Sequence, residues 1–327
     1  MLLIVLALAG AAYYQWWVRP KRRVSGEVAY VLANKLPVMD SAAQVNVQIG
    51  SAQNGEKLLV IRRTSHWAQV RLQSGQVGWV DSASLTDAET YAKGETLFKK
   101  LLDTPAQAEG HTEEPVNLHL EPDRQSVSLV QLQPGEKLWI YTRSIIERPR
   151  LPGVSGGPGI KDVWYLVRSS RHAGWMLGRF VSLDIPPAIA AYAEGINMVA
   201  WLALNYVNDN GQRLPQYLVA DRIGTQEFDF NHIRVFTYWV KRHKYVTAYV
   251  EGGFNGSFPL SVETVNQLPT FRLRLIDEDG NKFQKVYALH DTIVRPLGTV
   301  SGWDSNALPS PQTGQRRQKR RPARRTR

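Results

Sequence analysis

The 327-residue chain has no cysteine. That excludes disulfides, thiol catalysis, thiolate metal sites and lipid attachment through sulfur. Histidine is sparse as well: the seven are scattered, with no HExxH and no pair at metal-ligand spacing. Gly153-Val154-Ser155-Gly156-Gly157 has the glycines of a nucleophile elbow, but it lies in a Pro/Gly loop instead of a strand-to-helix turn. No Lys-Ser or Lys-Thr follows that stretch, so phosphate cradling is unsupported. No group of residues meets the role-and-geometry requirements of a catalytic site. The expectation is therefore a non-enzymatic protein with no catalytic residues, metal or cofactor, and no small-molecule substrate.

Acidic residues are outnumbered, and the net charge is +11. Eight of the cations sit in the last twelve residues, as Arg316, Arg317, Lys319, Arg320, Arg321, Arg324, Arg325 and Arg327. Four more lie in Arg19-Pro20-Lys21-Arg22-Arg23, so without these twelve the remaining chain carries −1. The basicity thus belongs to two appendages, and the body between them is almost neutral. The tail from 301, rich in Ser, Pro, Gln and Arg, reads as disordered. It should contact polyanions at low salt: anionic lipid, nucleic acid or wall polymer. It has no interleaved aromatics for base stacking.

Residues 1–18 carry no charge, and Tyr13, Tyr14, Trp16 and Trp17 precede the basic patch 19–25. As a helix they would span about 27 Å, enough for a hydrocarbon core. The favoured reading is a single transmembrane anchor; a cleaved signal with Ala9-Gly10-Ala11 at its end is the competitor. The positive-inside rule would put the body in the cytoplasm.

Aromatic residues are plentiful, and they recur in order. Trp67-Ala68-Gln69-Val70 and Gly78-Trp79-Val80 return as Trp164-Tyr165-Leu166-Val167 and Gly174-Trp175-Met176. Upstream, Gly55-Glu56-Lys57-Leu58 matches Gly135-Glu136-Lys137-Leu138. Downstream, the run ending in Leu85 parallels Phe180-Val181-Ser182-Leu183. Four features in one order indicate an internal duplication of short strands, which build small barrels. Trp67, Gly78, Trp79, Trp164, Gly174 and Trp175 are expected as structural core, with indoles filling each interior and glycines bending the corners.

The pattern of a Trp strand, a short turn and Gly-Trp-Val resembles the bacterial Src homology 3 family, over 26–85 and again over 115–183. The second copy departs from it by a Pro/Gly-rich insertion at 145–161. The resemblance implies a body outside the inner membrane, and envelope export is preferred to the cytoplasmic face. Cell-wall peptidases carrying such barrels often use a Cys–His pair, and here the Cys is missing. Any ligand groove is expected in loops beside the indoles, with His66, Arg71, Gln76, Tyr165, Arg168 and Arg171 as binding candidates.

The complete expectation is a mainly β chain. A helix and linker at 86–114 join barrels at 26–85 and 115–184, and a connecting helix at 185–196 follows. The module at 197–300 should be an antiparallel sheet of about six strands in three hairpins, turning at Asn210-Gly211, Lys241–Lys244 and Asp277–Asn281. Asp277-Glu278-Asp279-Gly280-Asn281 reads as a turn before a calcium loop, and Arg148–Pro152 as an exposed PxxP-like loop. His232, Asp229 and His243 are the first suspects should this module hold an enzyme. The functional expectation is a membrane-anchored envelope protein binding cell-wall glycopeptide or a Pro-rich segment of another envelope protein. The alternative is a cytoplasm-facing protein whose tail docks nucleic acid or anionic lipid.

Overall fold

The computed structural model describes residues 27–148, 160–224, 227–304 and 306–309. The expected anchor at 1–18 and the tail cations from Arg316 to Arg327 lie outside them. No described helix is long and apolar enough to cross a membrane.

The protein is mainly β. Seven short strands come first: β1 Glu27–Val31, β2 Lys35–Met39, β3 Gln48–Gln53, β4 Lys57–Arg63, β5 Trp67–Arg71, β6 Val77–Asp81 and β7 Leu85–Asp87. Helix α1 (Ala88–Leu102) follows, then β8 Ala108–Thr112, β9 Val116–His119, β10 Ser128–Leu132, β11 Lys137–Glu147, β12 Lys161–Arg168, β13 Ala173–Leu177 and β14 Val181–Leu183. A one-turn helix α2 (Pro187–Ala190) leads to the last seven: β15 Met198–Asp209, β16 Gln212–Asp221, β17 Phe230–Trp239, β18 Lys244–Val265, β19 Leu268–Ile276, β20 Lys282–His290 and β21 Ile293–Ser301. These elements form two compact units, one of residues up to 99 with 117–132, the other of 100–116 with 133 onward.

In the first unit the sheet runs β3-β2-β6-β5-β4-β1-β7. Its interior is wholly aliphatic, built from Ala29, Val31, Val38, Leu58, Val70, Val80 and their neighbours. Alternation along each strand decides this: Ala68 and Val70 face in, so Trp67 and Gln69 must face out. Gly78 and Val80 likewise face in, and Trp79 faces out. The expectation that Trp67 and Trp79 fill the interior is therefore corrected. The Asp87 carboxylate starts α1 by accepting from Thr90 N and Oγ1 at 2.8 and 2.9 Å. One turn on, Tyr91 stacks on Tyr30 with centroids 4.3 Å apart. The β9–β10 hairpin sits with this unit, where Asn34 Nδ2 donates to the Gln131 carbonyl at 2.7 Å.

The second unit repeats that plan. Its order β13-β12-β11-β8-β14 matches β6-β5-β4-β1-β7 strand for strand. Register matches too: Val70 opposes Gly78 as Val167 opposes Gly174, and Leu58 opposes Ala29 as Leu138 opposes Gly110. A bulge at Ile61 has its counterpart at Tyr141. A 3₁₀ turn precedes the last strand in each, Ser82–Ser84 and Gly178–Phe180. This register equates Leu85 with Val181, two residues from the match expected with Leu183. Trp164 is 1% exposed. It lies three residues from the inward Val167, hence on the opposite side of β12 from that core. Trp175 is half-buried between the inward Gly174 and Met176. The insertion lengthens a hairpin: β11 and β12 pair as far as Glu147–Lys161, and Arg148 clasps Asp162 at 2.6 Å.

The last seven strands form an antiparallel meander in chain order, β15 to β21, instead of the six expected. β18 runs for 22 residues, and β21 is an addition. Phe230, Val235, Phe271, Leu273 and Tyr287 centre its core. Gln107 ties the linker onto it by a two-way bond with the Leu260 backbone, at 2.7 and 3.2 Å. Beyond Trp303, the carbonyls of Asn306 and Ala307 accept from the buried Arg272 guanidinium at 3.0 and 2.8 Å. The stretch 306–309, grouped with the tail in the sequence reading, is thus held against the sheet at these two carbonyls.

Candidate functional site

The loop residues nominated from the sequence do not converge. His66 and Arg71 sit at opposite ends of β5, about 16 Å apart at strand rise. The Gln76 amide donates to the Ile49 carbonyl at 2.9 Å and so braces β3. Tyr165 packs on Gly178, where a Cβ would stand 2.7 Å from its ring. The Arg168 guanidinium lies 4.0 Å over Trp139 and donates to Tyr141 Oη at 3.0 Å. Arg171 is exposed in a turn, its amide 3.4 Å from Ser169 Oγ. The side chains of Gln76, Tyr165 and Arg168 thus brace the fold.

What the structure does bring together is the outward face of the first sheet. Arg62 opposes Gln69, Gln69 opposes Trp79, and Trp79 opposes Met39, one row across four strands. Trp67 lies diagonally beside Trp79 on the same face. Both indoles are half-buried, and the Arg62 guanidinium sits 5.0 Å over the Trp79 ring. A guanidinium at that distance is attracted by the ring and holds it flat. The face can therefore offer a ligand two rigid apolar surfaces flanked by a cation and an amide. Its signal was present in the sequence: Gln69 shares the phase of Trp67.

The three suspects of the last sheet are dispersed. His232 Nδ1 lies 3.1 Å from Asp221, and His243 Nδ1 lies 2.6 Å from Asp209, near opposite ends of β17. Asp229 accepts from Arg143 Nε and from the Phe258 amide, both at 2.7 Å. Arg143 also reaches the Glu227 carbonyl at 3.0 Å, so this pair clamps β11 to the start of β17. The Asp277 carboxylate is occupied by its own turn, accepting from Asp279 N and Asn281 N at 3.0 and 2.8 Å. Among the described residues no three His, Asp or Glu side chains group as metal ligands.

No family model and no curated protein matches this chain. Among solved structures it is similar to NlpC1 from Trichomonas vaginalis, at 7% identity and TM-score 0.20, covering 70% of this chain and 89% of that one. It is also similar to an NlpC/P60 family protein from Bacillus cereus ATCC 10987, at 9% identity and TM-score 0.24, over 69% and 94%. NlpC2 from Trichomonas vaginalis aligns at 9% identity and TM-score 0.18, over 86% and 99%. Likenesses at so low an identity and score carry no argument about this chain.

Proposed function

We propose that this is a non-enzymatic, membrane-anchored envelope protein in which a Src homology 3-like unit binds an extended wall glycopeptide. The outward Trp67–Trp79 pair carries the reading, because indoles that face away from a complete aliphatic core are left over for a partner. Sugar rings and prolines both suit such a surface: each is rigid and loses little entropy on docking. The second copy has its equivalent of Trp67 buried, so it serves as scaffold and the ligand face belongs to the first copy.

The test is retention of the full-length protein on purified peptidoglycan at physiological salt. Trp79→Ala and Arg62→Ala should each reduce it several-fold. Absence of wild-type retention would sink the glycopeptide and leave a Pro-rich protein segment as the occupant. Retention unchanged in both variants would remove this face from the function.

A further inference from the structure

The last sheet holds a second feature, independent of the face just described. The β-bulge around Leu204 shifts β15 so that Asn205 lies directly opposite Gln216 on β16. Tyr217 opposes Phe236, so one step further along that register Thr237 on β17 completes the row. All three carry a buried side-chain oxygen with no hydrogen-bond partner: Asn205 Oδ1, Gln216 Oε1 and Thr237 Oγ1. Gln216 is 1% exposed and Thr237 fully buried. Orphaned polar atoms at such depth are costly: the two amide oxygens call for a donor, whereas the Thr237 hydroxyl can donate or accept. The Gln216 orientation is fixed, since its Nε2 donates to the Asp291 carbonyl at 3.3 Å and a flip would set two oxygens against each other.

Asn205 and Gln216 line a 530 Å³ pocket, a volume within the range of about 300–1,000 Å³ that small-ligand sites occupy. Leu289, from the core, forms part of its lining, and Trp239 contributes an indole that is 38% exposed. The Arg242 guanidinium stands 4.3 Å over that indole and fixes its plane. Lys241 and Asp291 lie in the lining with opposite charges, so neither sign of ligand is favoured. Buried acceptors demand donors, which an anion lacks, and no carboxylate cluster is present here for a metal ion. A neutral molecule rich in hydroxyls, with an apolar ring face for the indole, satisfies every wall.

We propose that this pocket is a saccharide-binding site, with Asn205 and Gln216 accepting from sugar hydroxyls and Trp239 flanking the ring. The site would make the last sheet a recognition module in its own right.

The experiment is saturation-transfer NMR and calorimetry on the full-length protein, with N,N′-diacetylchitobiose and cellobiose as probes. Wild type should bind at least one of them, and Gln216→Leu and Trp239→Ala should each weaken binding at least tenfold. Gln216→Leu gives up its bond to the Asp291 carbonyl, but Asp291 is exposed and water can replace that donor, so the variant should melt close to wild type. Should that variant misfold, Trp239→Ala at the rim decides alone. No saturation transfer to either sugar at millimolar concentration overturns the proposal and leaves the row as a seat for ordered water. Undiminished binding in the variants also overturns it.

Discussion

A Cβ on Gly78 would stand 2.4 Å from Val38 Cγ1 and 2.8 Å from the Met39 carbonyl oxygen. At this point β2 crosses β6, with Met39 and Trp79 as the registered pair. Val38 is fully buried in the aliphatic interior and has nowhere to move. The glycine before the Trp therefore exists for close approach of two strands. Gly78→Ala should destabilise the first unit by about 2–3 kcal/mol through overpacking. Gly75 is the control: a Cβ there meets nothing, but φ is +88°, so Gly75→Ala should cost about 1–2 kcal/mol from backbone strain alone. Amide exchange of β2 and β6 should accelerate in the first variant far more than in the second.

The Arg143–Asp229 ion pair of the second unit is largely buried, with side chains 4% and 16% exposed. Losing one member of such a pair leaves a stranded charge and costs about 3–5 kcal/mol. Arg143→Met should fall in that range. Asp229→Ala should cost at least as much, because it also strands the Phe258 amide. The double variant should lose clearly less than the two singles combined, a coupling that urea denaturation of all four proteins would measure. Additive losses would show that the clamp is not a unit.

The tryptophans invite a reversal of the usual expectation that large aromatics are the costliest to truncate. Trp79 is half-buried on an outer face, and its contact with Arg62 is worth about 0.5–1 kcal/mol. Trp79→Ala should therefore cost only about 1 kcal/mol. Leu58, 1% exposed within the interior, should cost about 2–5 kcal/mol as Leu58→Ala. Equal costs, read from denaturant midpoints, would place the indole in the core after all.

Where a turn carries glycine or a dipeptide signal, the sequence is easy to read. Asn210-Gly211 and the Asp277–Asn281 run close hairpins where expected. The Asn266-Gln267 turn was missed because both residues enter the left-handed region, φ 49° and 65°, without a glycine to announce it. Gly252, Gly253, Gly256 and Pro259 look like breakers, yet all lie within the single bent strand β18. Pro296 and Gly298 similarly disguise β21, where a bulge absorbs them. The repeat was legible because spacing and order survive divergence. Facing was misjudged because the size of the indoles was weighed above the period-two phase that Gln69 shares with Trp67. The Asn205–Gln216–Thr237 row could not be seen at all, since the bulge around Leu204 creates it.

The Glu251 carboxylate is the hub of a half-buried cluster and supplies a pH dependence. It accepts from Tyr249 Oη at 2.5 Å, from Tyr287 Oη at 2.8 Å and from the Lys285 ammonium. Burial pushes its acidity down, but the bonds from Lys285 and the tyrosines outweigh burial and hold its pKa below the usual carboxylate value. Burial first, then the hydrogen bond to Glu251 and its charge, pushes the Tyr249 hydroxyl up to about 12, and Tyr287 rises for the same reasons. A tyrosine raised in the folded state stabilises fully below its unfolded value near pH 10, and that contribution fades as pH rises toward 12. Glu251 acts at the other end: its contribution is present above the ordinary carboxylate range and fades on acidification below it. Wild type should thus lose unfolding free energy more steeply than Tyr249→Phe between pH 10 and 12, as measured by urea denaturation across that window. Tyr245, also pushed up to about 12 by burial, is common to both proteins and cancels. Parallel pH profiles for the two would mean that Tyr249 ionises in the folded state as freely as in the unfolded chain.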